Sequence, residues 1–158
     1  NGVLYAARGR LYLDRQDYTA AKADLDRALA LGLPDAAQRA YAYELHGQAS
    51  AYLQDYDGAI ADYTLIIDMS AAPAARRLDA RLSRAILHHM RRDRAKAMAD
   101  YDAFFPRMDE ASEPTRAKAL AIIDGLKRAG LYDGSGKQYD PALRGALAQC
   151  VADPACRF

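Results

Sequence analysis

Apolar positions along this chain recur with helical rather than strand spacing. In residues 16–30, QDYTAAKADLDRALA, the residues Ala21, Leu25 and Ala28 fall at i, i+4 and i+7, one stripe of an α-helix. Residues 54–68, QDYDGAIADYTLIID, repeat the stripe as Ala59, Tyr63 and Ile66, and RDRAKAMADYDAFFP at 92–106 is a looser third copy. The copies stand 38 residues apart. The pattern predicts helices near 3–15, 18–31, 36–53, 56–69, 75–91, 94–108, 115–129 and 141–151, with Pro34, Pro73 and Pro114 where helices stop or restart.

Aligned at this interval, Arg8, His46 and Arg84 share one position, Gly9, Gly47 and Ala85 the next, and Asp17, Asp55 and Asp93 another. The small residues let a partner helix approach closely. The aspartates suit N-caps, because a carboxylate accepts from the unpaired amides of a helix's first turn. Asp24, Asp62 and Asp100 follow on the second helix of each unit. Ion pairs Arg8–Asp24 and Arg84–Asp100 are expected, with His46–Asp62 as the weaker counterpart, each contributing about 0–1 kcal/mol if exposed. One such hairpin cannot bury its apolar face alone, so the repetition itself predicts an all-α stack.

The run Arg8-Gly9, Asp17-Tyr18, Ala21, Ala23-Asp24 and Ala28 resembles the tetratricopeptide repeat, in the bacterial variant with arginine before the first-helix glycine. The resemblance covers residues 3 to 108 as three repeats. The period exceeds the family's length of about 34 residues. Arg81 and Ala85 also replace the usual aromatic and glycine of the third repeat. The resemblance implies an α-solenoid of helical hairpins with right-handed superhelical stacking. It divides the chain into hairpins at 1–110 and a capping, cysteine-bearing tail at 111–158. It further implies a groove that receives a partner's peptide. The matching groove positions are Ala6, Arg10 and Leu13, then Tyr41, Glu44, Gln48 and Tyr52, then Leu82, Ile86 and His89. The family's clamp for a terminal carboxylate is missing, since Ala6, Glu44 and Asp79 stand in its places.

Composition changes this picture little. Lys and Arg number 22 against 21 Asp and Glu, so net charge supplies no pull toward nucleic acid or membrane. No apolar run approaches the roughly 20 residues of a membrane-spanning helix. The chain starts at Asn1, so a signal, anchor or further domain is open as a preceding segment. Cys150 and Cys156 have spacing for a small disulfide loop, with free thiols and redox or metal chemistry as the alternatives. A bond favours a periplasmic or secreted protein over a cytoplasmic one.

Chemistry is hard to find. His88 and His89 are adjacent and point about 100° apart on a helix, so they do not ligate one metal together. The carboxylates recur at repeat-equivalent positions, as in a scaffold, and no nucleophile has a partnered base in recognisable spacing. Arg77, Arg81, Arg84, His88 and Arg91 follow helical spacing, either as a solvated face or as a contact for an acidic peptide or phosphate. In the tail, Leu120, Ile123, Leu126 and the Lys127 stem are expected to cover the third hairpin. The stretches from Leu126 to Gly134 and from Tyr139 to Leu147 are similar to small peptidoglycan-binding-like domains. Asp133-Gly-Ser-Gly-Lys137 has neither the glutamate of a calcium loop nor the length of a phosphate loop, and reads as a turn. The expectation is a non-enzymatic interaction module without cofactor or metal, binding a protein or peptide. The alternative is an envelope-associated protein whose tail contacts peptidoglycan. Oligomeric state is left open.

Overall fold

The structure, a computed structural model, describes residues 1–136 and 138–156. Lys137, the last residue of the expected turn, lies outside the described residues. All regular structure described is helical: α1 (Gly2–Asp14), α2 (Tyr18–Leu31), α3 (Ala36–Tyr52), α4 (Tyr56–Asp68), α5 (Ala74–Met90), α6 (Arg94–Phe104), α7 (Glu113–Arg128) and α8 (Pro141–Ala152). These lie close to the expected bounds with one exception. The helix expected at 94–108 ends at Phe104 and tightens into a 3-10 segment, Phe105–Glu110. Pro106 explains the break, since it has no amide to continue the ladder.

The three hairpin turns are built alike. Asp17, Asp55 and Asp93 cap α2, α4 and α6, accepting from the amides of Ala20, Gly58 and Lys96 at 3.1, 3.0 and 3.2 Å. Their own amides donate back to Tyr12, Ser50 and His88 carbonyls at 2.9, 2.8 and 2.9 Å, closing the end of the preceding helix. That closure puts the intervening residues, Gln16, Gln54 and Arg92, at φ of 61, 63 and 62°. Glycine is the usual occupant of such a position, and the chain uses none.

The chain forms two compact units, 1–80 and 81–158, parted within α5. In the first unit, Leu13, Ala21, Leu25, Leu33, Ala42, Leu45 and Ala49 make one core cluster across α1, α2 and α3. A Cβ on Gly9 would lie 2.8 Å from Leu25 Cγ, and one on Gly47 would lie 3.2 Å from Asp62 Cβ. These glycines therefore set the close approach of the paired helices.

In the second unit α8 packs on α6, and Ile123 and Leu126 of the expected α7 stripe are buried. Asp102 on α6 accepts from Arg144 at 2.8 and 2.9 Å and from the Tyr139 hydroxyl at 2.5 Å. Phe105 stacks on Tyr139 at 5.5 Å and meets Phe104 edge-on at 5.4 Å. On α7 the buried residues are Thr115, Ala119, Ile122, Ile123 and Leu126. Leu120, expected in that stripe, is 49% exposed because the burial line runs one helical position away.

Candidate interaction surface

On the first unit, α3 presents Tyr41 half-buried and held from two sides. Arg10 on α1 donates to its hydroxyl at 2.7 Å and to Asp14 at 2.9 Å. Those hydrogen bonds, to Asp14 and then Tyr41, raise the Arg10 guanidinium further above its ordinary range. Arg76 lies over the Tyr41 ring, 4.9 Å from its centroid, and also donates to the Glu44 carboxylate. Three expected groove residues, Arg10, Tyr41 and Glu44, are thus brought into one network. Asp14 and Arg76 belong to it too, and sequence reasoning missed them. Arg76 is more than 30 positions from its partners, and nothing in local spacing marks such a contact.

The other expected groove residues have different surroundings. Gln48 is exposed and Ala6 is partly covered against the core cluster. Tyr52 is 58% exposed, but its ring stacks on Tyr18 of α2 at 4.4 Å. Leu13 and Leu82 are core residues at 9% and 1% exposure, so their side chains are not free to take a ligand. In the second unit Ile86 and His89 are half-buried. His89 lines a cleft of about 100 Å³ with Arg92, Arg94, Asp153 and Cys156. Arg94 closes the end of α8 there, donating to the Ala152 carbonyl at 2.7 Å.

The repeat-equivalent charges form pairs. Arg8 donates to both Asp24 oxygens at 2.5 and 2.8 Å, and Arg84 to both Asp100 oxygens at 2.8 Å. The Arg8 hydrogen bonds hold the Asp24 carboxyl below its usual range. Arg81 lies 3.7 Å from Asp100 as well, so part of the basic stripe on α5 turns to an internal acid. In the second hairpin His46 Nδ1 is 2.6 Å from Asp62. Its Nε2 lies 3.2 Å from Asp26, close enough for Coulomb attraction but outside hydrogen-bond alignment. Of the adjacent histidines, His88 is buried at 7% exposure and its pKa falls, chiefly through desolvation.

Cys150 and Cys156 form a disulfide, with Cα atoms 5.2 Å apart. Cys150 is fully buried on α8, so the bond ties the chain after that helix back to it. Among the described residues, no group of three or more His, Cys, Asp or Glu is placed to hold a metal ion. No helix among them is long and apolar enough to cross a membrane. No family model, curated protein or solved structure matches this chain.

Proposed function

We propose that this chain is a tetratricopeptide-repeat-like interaction module that carries no reaction of its own and binds a protein or peptide segment. The observation that carries this reading is Tyr41, an aromatic anchor fixed by Arg10 and Arg76 on a helical scaffold. Anchors whose rotamers are already ordered lose little entropy on binding. Beside it, Arg10 and Glu44 offer a donor and an acceptor that would register a partner's backbone or charged side chains. The hairpin repeats at 38 residues, with aspartate caps and small residues at the helix contacts, support the family reading.

The test is a crosslinking pull-down from the native organism, comparing the intact chain with a Tyr41→Ala, Gln48→Ala variant of unchanged helicity. Loss of one specific partner from the variant supports the reading. An unchanged partner list removes this face from consideration.

The Cys150–Cys156 bond favours a second reading, an exported protein associated with the cell envelope. Co-sedimentation of the intact chain with purified peptidoglycan supports it, and a chain that stays in the supernatant counts against it.

A further inference from the structure

One charged position of the repeat differs in kind between hairpins. Arg8 and Arg84 meet Asp24 and Asp100 with guanidinium groups, which do not lose their charge in a protein. The same place in the second hairpin holds His46, whose imidazole titrates near neutral pH. The scaffold thus accepts a permanent cation here and carries a titratable one in the second hairpin. His46 also meets a second acid, since Asp26 of α2 lies 3.2 Å from Nε2. One period later the place of Asp26 is filled by Thr64, so that bracket is not a general feature of the repeat.

The imidazolium suits the bracket and the neutral ring does not. With Nδ1 2.6 Å from Asp62 and Nε2 3.2 Å from Asp26, either neutral tautomer turns a nitrogen lone pair toward a carboxylate. Nε2 is buried and has no hydrogen-bond partner among the described residues, so no other group of the chain relieves that contact. Burial opposes the proton, and so does Lys22 of α2; the hydrogen bond and charge of Asp62 and the charge of Asp26 outweigh them, and the pKa is raised. Asp55, at the cap of α4, is the further charge that His46 acts on.

The bracket spans a seam. Asp26 belongs to the first hairpin, His46 and Asp62 to the second. Arg10 crosses the same seam from α1 to hold the Tyr41 hydroxyl of α3 at 2.7 Å. We propose that the proton on His46 sets how often the first hairpin lifts from α3. The imidazolium ties Asp26 to Asp62; its loss frees Asp26, loosens α1 and α2, and releases Tyr41 from Arg10. What this does to binding rests on the reading of Tyr41 as an anchor, and the seam itself does not.

The test is amide exchange on the intact chain at about pH 6 and about pH 8, corrected for the intrinsic rate, with the imidazole nitrogens followed by NMR. Raising the pH should speed exchange in α1 and α2 roughly tenfold and leave α7 and α8 no faster. The Tyr41 ring resonances should change in step with the His46 titration. His46→Arg, a residue the first and third hairpins already hold at this place, should keep exchange slow at both pH values, and His46→Gln should keep it fast. Asp26→Asn, at an exposed acid, should keep the fold, lower the His46 midpoint and remove most of the pH effect. Faster exchange in α7 and α8 to the same degree would mean that the whole fold responds, and overturns the proposal. So does a pH effect that survives in His46→Gln, or a His46 midpoint indifferent to Asp26→Asn. None of these readouts uses a partner, so their failure is distinct from failure of the Tyr41 reading, which the pull-down tests.

Discussion

His46 sits between two carboxylates of different helices, with Asp62 2.6 Å from Nδ1 and Asp26 3.2 Å from Nε2. Burial alone would lower its pKa, and nearby Lys22 adds to that, but the Asp62 hydrogen bond and the charges of Asp62 and Asp26 outweigh both, so the pKa is raised. A raised folded-state pKa means the folded form holds its proton more tightly than the unfolded one, whose value is about 6.5. The histidine's contribution is fully present below that pH and is lost as pH rises through the folded value. In His46→Gln, the fall in stability from pH 6 to pH 8 should flatten, as read by urea unfolding at each pH.

His88 should behave in the opposite sense. Desolvation is the leading cause of its lowered pKa, with Arg84 and Lys96 adding to it against Asp100 and Asp93. Its contribution is present above about pH 6.5 and is lost as pH falls toward the folded value. A His88→Gln variant should lose less stability than the parent between pH 7 and pH 5. An unchanged acid limb would show that His88 does not carry it.

Gln54 occupies the left-handed region at φ 63°, which costs a side-chain-bearing residue about 1–2 kcal/mol. Glycine relieves this but is freer in the unfolded chain by about 0.5–1 kcal/mol. Gln54→Gly should therefore stabilise by roughly 0.5–1 kcal/mol, measured by chemical denaturation. Gln54→Val should destabilise, because β-branching makes the same backbone harder to adopt.

Gly9 and Gly47 hold equivalent places with different tolerance. An added methyl at Gly9 meets Leu25 Cγ at 2.8 Å, and Leu25 is fully buried. Overpacking costs about 1–3 kcal/mol, and the helix-propensity gain of about 1 kcal/mol offsets part of it, so Gly9→Ala should cost a net of roughly 0–2 kcal/mol. At Gly47 the nearest approach is 3.2 Å, and a helix-propensity gain of about 1 kcal/mol offsets it. Gly47→Ala should thus fall near neutral. Thermal unfolding of the two variants side by side checks the order.

Reducing the Cys150–Cys156 bond opens a six-residue separation, for which loop-closure entropy gives about 2 kcal/mol. The Cys150→Ser, Cys156→Ser protein should lose that amount in denaturant titrations. It should also become insensitive to dithiothreitol, while the parent shifts to lower midpoint on reduction.

Local spacing carried most of the architecture. The aspartates at 17, 55 and 93 marked every hairpin turn, since capping acts within a few residues and leaves its trace in adjacent letters. The left-handed residues after α1, α3 and α5 left no such trace, because Gln16, Gln54 and Arg92 are not residue types that announce that backbone. Pro106 stood in plain view inside the helix expected at 94–108, which the structure ends at Phe104. On the candidate surface, the repeat resemblance named Tyr41 and Glu44 as groove positions. It did not locate Arg76, whose partners depend on how α3 and α5 pass one another. Leu13 and Leu82 failed as surface residues for a related reason. A family's groove pattern says which positions share a face and not how far the neighbouring helix covers them.

The tie from Lys22 to Ser50 and Asp55 has one more consequence. Lys22 reaches the residue that starts α4, and the Asp55 carboxyl it meets is held acidic first by that hydrogen bond. The corresponding places on α4 and α6 hold Ile60 and Met98, which have no charge to offer. Hairpins written in nearly the same letters are thus not exchangeable modules: the first bears a key cut for the second, and a chain with their order shuffled would lose its register.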